Sequence, residues 1–258
     1  MARLVFVCHM SDSDHISSTR SGSGRFATTH WSVVLAAGDT SASQHERALN
    51  SLCEAYWFPL YAYLRRSGYN SHQAEDYTQG FLTYLLEKHA LRRADPACGR
   101  FRSFLLGTLK NFLAGERDRA KTQKRGGSCK ILSLDFADAE TRYAIQPVDN
   151  LSPERFFDRY WALTVLNRTI GRLKAESENA GKQKQFSVLK IYIASEGDFV
   201  PYKNVAAKLK MTEGAIKVAV HRLRKRYRGL LRDEIAQTVD TEDQIDDEIQ
   251  TLFLAVAH

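Results

Sequence analysis

Basic and polar residues recur at helical spacing between positions 212 and 225, and their chemistry suits contact with DNA. One face of a helix through this segment, the basic face, would carry Gly214, Lys217, Val218, His221, Arg222 and Lys225. The opposite face would carry the apolar residues Ile216, Ala219, Val220, Leu223 and Tyr227. Lysine and arginine donate to guanine O6 and N7 in the major groove, and they also bind phosphates. The pattern therefore predicts duplex binding by the basic face, with an ordinary amphipathic surface helix as the alternative.

A shorter helix is predicted just before this one, and the two together would form a helix-turn-helix. Val205, Ala206 and Leu209 have helical spacing, residues 210–212 make the turn, and Thr212 can cap the helix that follows. In such a motif the second helix enters the major groove with its N-terminal residues against the bases. Thr212 therefore joins the basic face in the predicted duplex-binding site.

The charge of the chain is concentrated in three blocks. Overall, 37 Lys and Arg residues oppose 30 Asp and Glu residues, for a formal net charge of +7. Residues 92–130 carry 11 basic and 3 acidic side chains, and residues 203–232 carry 10 basic side chains and one acidic. Residues 233–258 carry 8 acidic side chains and no lysine or arginine. Two separated basic blocks predict two places that hold a polyanion such as nucleic acid, although solvated basic surfaces would have the same composition.

Helical periodicity dominates the rest of the chain, and no convincing strand is present. Apolar stripes predict long helices at about 44–66, 71–89 and 100–121. Pro59 should kink or split the first of these, Ser71 should cap the second, and Ser152 followed by Pro153 should start a further helix.

These patterns predict an all-α fold with two helical domains joined by a linker, the second domain containing the helix-turn-helix. The predicted segments are a flexible N-terminal tail (1–25), an N-terminal domain (26–122), a linker (123–152), a C-terminal domain (153–232) and an acidic C-terminal extension (233–258).

Composition and spacing argue against several functional classes. No run approaches the ~20 apolar residues of a membrane helix, and the N-terminus lacks the pattern of a secretory signal, so we expect a soluble cytoplasmic protein. The four cysteines are too widely spaced for a zinc knuckle and suit reduced thiols. We expect no cofactor, no metal site and no catalytic residue. The adjacent acids Glu75 and Asp76 would point about 100° apart on a helix, which does not make a shared metal site.

Two parts of the sequence resemble one protein family. The segment VAAKLKMTEGAIKVAVHRLRKRYRGLL resembles the C-terminal helix-turn-helix domain of bacterial RNA polymerase sigma factors of the extracytoplasmic-function (ECF) type. The segments AEDYTQGFLTYLLEK and GRFRSFLLGTLKNFLAGERDRAKTQKRGG resemble the N-terminal core domain of that family, so the matches span roughly residues 26–128 and 153–232. The resemblance implies a non-enzymatic factor for transcription initiation with core RNA polymerase and promoter DNA as partners. It also allows an anti-sigma factor, which the sequence does not identify, and implies no membrane partner.

The resemblance assigns roles to two further groups of residues. Asp76 and Gln79 lie in the helix that docks family members on the polymerase clamp, although Asp76 has an alternative reading as a plain surface charge. The next helix matches the part that captures the unstacked non-template strand, and its candidate contacts are Lys110, Asn111, Arg117, Arg119 and Lys121. Phe101 and Phe104 are expected in the core rather than as stacking platforms.

Two features depart from the family pattern, and two other functions remain open. Lys210 stands where the family commonly has glycine, and a left-handed conformation there would cost about 1 kcal/mol. The acidic extension either masks the basic helix before it or packs through a small apolar stripe. The main alternative function is a helix-turn-helix regulator that binds duplex DNA without polymerase, which leaves Asp76 without a role. An enzyme such as a nuclease or recombinase is the second alternative.

Overall fold

A computed structural model of the chain describes residues 42–87, 100–122, 136, 139–144, 151–193, 200–239 and 241–257. Within these ranges the regular structure is helical and no β-strand occurs, so the expected all-α class is confirmed for this part of the chain. The helices are α1 (Ala42–Arg66), α2 (Ser71–Glu87), α3 (Phe101–Thr122), α4 (Ala139–Ala144), α5 (Pro153–Asn179), α6 (Gln183–Leu189), α7 (Tyr202–Leu209), α8 (Glu213–Ala236) and α9 (Gln244–Ala257). A 3₁₀ turn, Lys190–Tyr192, follows α6. The predicted tail (1–25) and most of the predicted linker (123–152) lie outside the described residues.

The described residues divide into two compact units. The N-terminal unit comes from the described residues between 42 and 165 together with 235–256, and the C-terminal unit comes from the described residues between 166 and 234 together with Ala257. The division falls inside α5 and again near the end of α8. Because compactness alone does not show which segments fold independently, the predicted domain bounds stay a prediction.

Helix α1 forms the centre of the N-terminal unit and continues through Pro59 without a break. Proline lacks the amide hydrogen of a helical residue and costs about 3 kcal/mol in a helix interior. Phe58 and Leu60 on either side are almost completely buried, at 2% and 0% exposure. Burying such side chains contributes roughly 1.5–3 kcal/mol each, which offsets the cost. The prediction that Pro59 splits this helix is therefore wrong.

Helix α2 starts with a reciprocal cap one residue earlier than predicted. The amide of Gln73 donates to Asn70 Oδ1 at 2.9 Å, and the amide of Asn70 donates to Gln73 Oε1 at 3.1 Å. This pair satisfies two backbone donors at the start of the helix. The cap is Asn70 rather than Ser71, and the glutamine three residues after Asn70 is the signal that distinguishes them. At α5 the predicted cap is confirmed, because the amide of Arg155 donates to Ser152 Oγ at 3.3 Å.

The acidic extension contains helix α9, which belongs almost entirely to the N-terminal unit. Its buried side chains are Ile245, Glu248 and Leu252, spaced three and four residues apart on one face. The extension therefore packs through a short stripe, as one of the two sequence alternatives has it. The carboxylate in that stripe pairs with residues at the start of α3.

The C-terminal unit is built around a small apolar cluster shared by α6, the 3₁₀ turn, α7 and α8. The cluster contains Leu189, Tyr192, Val205, Ala206, Ile216 and Val220, with Ala219 and Leu223 packed against it. Tyr227 continues the same stripe along α8 and is 6% exposed. The predicted inward face of α8 is thus confirmed, and its burial determines which side chains of this helix point outward.

Candidate nucleic-acid interface

A residue in the left-handed conformation ends α7 at the turn before α8. Lys210 has φ +52° and ψ +43°, a left-handed conformation. The amide of Met211 donates to the carbonyl of Ala206 at 3.0 Å, and the amide of Lys210 donates to that of Ala207 at 3.4 Å. This pair of bonds is the usual way for a left-handed residue to end a helix. The left-handed geometry expected as a cost at Lys210 is therefore present.

Thr212 caps α8 as predicted. Its Oγ1 accepts a hydrogen bond from the amide of Ala215 at 3.2 Å, and its own carbonyl accepts from the amide of Ile216 at 3.0 Å. The cap satisfies a backbone donor that no helical carbonyl can reach. Thr212 is exposed, so the same hydroxyl lies at the surface from which the basic side chains project.

All of the predicted basic-face residues are exposed, and three of them line one groove. Lys217, His221 and Lys225 line an open groove of about 470 Å³. Four further residues complete its lining, which are Tyr202 from α7 and Val220, Arg224 and Arg228 from α8. We call these seven side chains the α8 groove. They form a concave, cationic surface along about three turns of helix.

Arg222 and Val218 do not line the α8 groove. Arg222 lines a separate groove of about 260 Å³ that also includes Glu176, Phe186 and Arg226. Val218 is exposed to 49%, which is high for a β-branched apolar side chain. The six predicted residues are therefore all at the surface, but they do not make one continuous contact surface.

Some cationic side chains of α8 have a hydrogen-bond or ion-pair partner, and others have none. Arg226 Nε donates to Glu176 Oε2 at 2.7 Å, and Arg224 Nε donates to the carbonyl of Tyr192 at 2.8 Å. Lys217 Nζ lies 3.3 Å from Glu213 in an exposed pair one turn apart, which is worth little in water. Among the described residues, Lys225 and Arg228 have no partner of this kind.

Sequence reasoning missed three side chains of this groove: Tyr202, Arg224 and Arg228. Arg228 lies three residues after Lys225 and seven after His221, so helical spacing alone would have placed it beside them. Tyr202 gave no such signal, because it comes from another helix. Its ring stacks on that of Tyr192 with centroids 5.1 Å apart, which places it at the groove.

On α3, the structure places Lys110, Asn111 and Arg117 at the surface. Lys110 Nζ donates to Glu154 Oε1 at 2.9 Å, and this bond raises the pKa of Lys110 and lowers the pKa of Glu154. Arg117 Nη2 donates to Tyr69 Oη at 2.6 Å. Lys110 and Arg117 are two turns apart and share one side of the helix. Two of the predicted cations are thus presented together, Lys110 with an acidic partner and Arg117 with a neutral one.

Two other predicted residues on α3, Arg119 and Lys121, have side chains outside the described residues. The expected core position of Phe101 is confirmed at 0% exposure, and Phe104 is half-buried beside it with ring centroids 6.0 Å apart.

The polymerase-contact candidates lie on α2. Asp76 is exposed and Gln79 is half-buried. The next residue to Gln79, Thr78, is fully buried and its hydroxyl donates to the carbonyl of Ala74 at 2.6 Å. The packed side of α2 therefore leaves Asp76 as the more accessible of the two candidates.

The chain was compared with protein-family models, with curated proteins and with solved structures, and nothing matches it. Within the described ranges, no three or more His, Cys, Asp or Glu side chains come together as a metal site would require. In the same part of the chain, every helix is too short or too polar to cross a membrane.

Proposed function

We propose that this protein is a sigma factor of the ECF type, which binds core RNA polymerase and directs promoter recognition and opening. The observation that carries the proposal is the α8 groove: unpaired cations lie on the outward face of a helix whose inward face is buried and whose start is capped by Thr212. The sequence resemblance supplies the family, and the groove supplies the physical means of binding DNA.

In the proposed duplex contact, the N-terminal part of α8 meets base edges and its later turns hold the backbone. Lys217 can donate to guanine, and the exposed Val218 can contact a thymine methyl group. Lys225 and Arg228 lie further along the same helix, with Arg228 about 16 Å from Lys217. Because phosphate contacts position a protein and base contacts specify the sequence, these two parts of α8 have different tasks.

In the proposed opening step, α3 holds the unstacked strand. The exposed pair of Lys110 with Glu154 contributes at most about 1 kcal/mol, so a phosphate can replace the carboxylate at small cost. Unstacking costs a few kcal/mol per base step, and these contacts offset part of it. Polymerase forms the phosphodiester bonds, so the proposed mechanism requires no covalent chemistry from this chain.

The duplex contact is tested with Arg228→Gln and Arg226→Gln. Both variants remove one positive charge from the same helix, but Arg226 already pairs with Glu176 outside the α8 groove. We expect R228Q to weaken duplex binding and to lower the slope of log K against log salt by about 0.9, the share of one phosphate contact. R226Q should change the slope much less, and equal slopes for the two variants would count against the groove as the contact.

The role as a polymerase subunit is tested by pull-down with purified core enzyme and by transcription from a promoter library. Asp76→Asn should weaken polymerase association, whereas Glu54→Gln, which removes an exposed acid from α1, should not. Transcript starts that require the protein support the proposal. Duplex binding without polymerase association would favour the alternative of a regulator that acts alone.

A further inference from the structure

We propose that Arg100 and Arg102, at the start of α3, form a phosphate-binding site for single-stranded DNA, and that α9 occupies this site with the carboxylate of Glu248 until the strand displaces it. The acidic extension is then an internal competitor of the ligand. The ligand class rests on the proposed function, whereas the arginine pair and its carboxylate are features of the structure.

The two arginines converge on one buried carboxylate. Glu248 is 1% exposed, and its Oε1 is in direct contact with Arg102 Nη1. Its Oε2 lies 3.0 Å from Arg100 Nε. Arg102 Nε lies 3.1 Å from Asp158 Oδ1, and its guanidinium stands over the ring of Trp161, 4.4 Å from the centroid. Arg102 is thus held in one orientation from two sides while it faces Glu248.

The chemistry of this site suits a phosphate as well as a carboxylate. A guanidinium is a planar fork whose donors match the oxygens of either group. Arg100 and Arg102 also stand at the N-terminal end of a long helix, where the helix dipole favours negative charge. Glu248 Oε2 is buried and lies 3.0 Å from Arg100 Nε, but the angle of this ion pair is not that of a hydrogen bond. The carboxylate therefore neutralises the site without meeting all of its own hydrogen bonds.

Burying the Glu248 carboxylate costs free energy, and this cost makes it easier for a ligand to displace α9. Burial raises the pKa of Glu248 although two arginines lie beside it, so the charged form loses much of its hydration there. The other buried side chains of α9 are only Ile245 and Leu252, and Leu254 is 62% exposed. Glu248 is therefore the buried charged residue of this helix, and the apolar residues Ile245 and Leu252 are buried on the same face.

Displacement of α9 would extend the binding surface of α3. Arg102 and Lys110 are eight residues apart on this helix, and Arg117 follows seven residues later. When Glu248 leaves, Asp158 still pairs with Arg102, so the site keeps one net positive charge from the arginine pair. A strand that follows α3 then meets cations at its start as well as along its exposed side.

The experiment measures binding of a fluorescein-labelled single-stranded oligonucleotide to the full chain by anisotropy at low salt, without polymerase. Glu248→Gln removes the competing charge and keeps the side-chain length. Asp247→Asn is the matched control, because this neighbour on α9 is an exposed acid. We expect E248Q to bind roughly five- to tenfold more tightly. This is the gain expected if the fraction of chains in which α9 has left the arginine pair rises from about a tenth towards one. D247N should bind less than about twofold more tightly.

Adding Arg100→Gln to E248Q should abolish the gain, because it removes the exposed member of the pair. If E248Q and D247N gain the same affinity for the single strand, the gain comes from the lower negative charge of the chain alone, and the proposal is overturned. No gain in affinity for E248Q would also overturn it. A duplex of the same sequence should show a smaller gain than the single strand, and the reverse order would overturn the ligand class.

A second measurement uses the unaltered chain and so does not depend on how the variants fold. Amide hydrogen exchange in residues 244–257 should become faster when the single strand is saturating, because α9 has left its site. Unchanged or slower exchange would overturn the proposal. Since neither measurement includes polymerase, failure here is separate from failure of the proposed sigma-factor function, which polymerase association tests.

Discussion

Replacing Lys210 with glycine should stabilise the C-terminal unit. Lys210 is the one non-glycine residue with positive φ in the described part of the chain. A side chain in this conformation costs about 1–2 kcal/mol, because Cβ approaches the following carbonyl. Glycine removes that cost, but it also raises the conformational entropy of the unfolded chain, and this lowers the free energy of unfolding by about 0.4–1 kcal/mol. The expected net gain is about 0.5–1 kcal/mol.

Amide hydrogen exchange in α7 and α8 is the suitable assay. Trp57 and Trp161 belong to the N-terminal unit, so their fluorescence does not report on this one. A gain of 0.5–1 kcal/mol should slow exchange of the most protected amides by about two- to fivefold. Lys210→Ala is the control, since it loses the same charge and keeps the strained backbone.

The comparison of K210G with K210A shows whether the left-handed conformation at position 210 is strained. K210A should show no slowing, and both variants should bind duplex DNA equally, because each lacks the same charge. If K210G exchanges as fast as K210A, the left-handed conformation carries no strain and the reasoning is refuted.

Three further changes have defined outcomes. Thr212→Ala removes the cap of α8 and should cost about 1 kcal/mol, seen as faster amide exchange in its first turn. Leu252→Ala, at a fully buried position of α9, should cost about 1.4 kcal/mol in urea unfolding, because a tenfold preference for the docked helix is all that this substitution can remove. Leu254→Ala at an exposed position should change stability by less than about 0.5 kcal/mol. Hydrogen bonds from Arg65 hold the pKa of Glu140 below its ordinary value of 4.5, so the pair stabilises the fold fully above that pH and loses this effect as pH falls through the lower folded value. Glu140→Gln should therefore be less stable than the natural chain at pH 7, and acid titrations of unfolding should bring the two together below the ordinary glutamate range; a constant difference would contradict this assignment.

Local features of this protein were predictable from the sequence because a few neighbouring residues determine them. The short helix α7, the cap at Thr212 and the inward stripe of Ile216, Val220 and Tyr227 depend on hydrogen bonds and spacing within one or two turns. Asn70 was missed in favour of Ser71, although the signal that identifies it is also local.

Other features depended on partners distant in the sequence. Pro59 lies inside an unbroken helix because the side chains around it are buried by the rest of the unit. Arg226 and Arg228 have the same chemistry and lie two residues apart, but Glu176, 50 residues away, occupies only Arg226. Glu248 meets Arg102 across 146 residues of sequence. By itself, the sequence determined which segments are helical and which faces of them are apolar or charged; only the tertiary structure decided which charges are neutralised, because a charge pair depends on distances that no local period encodes.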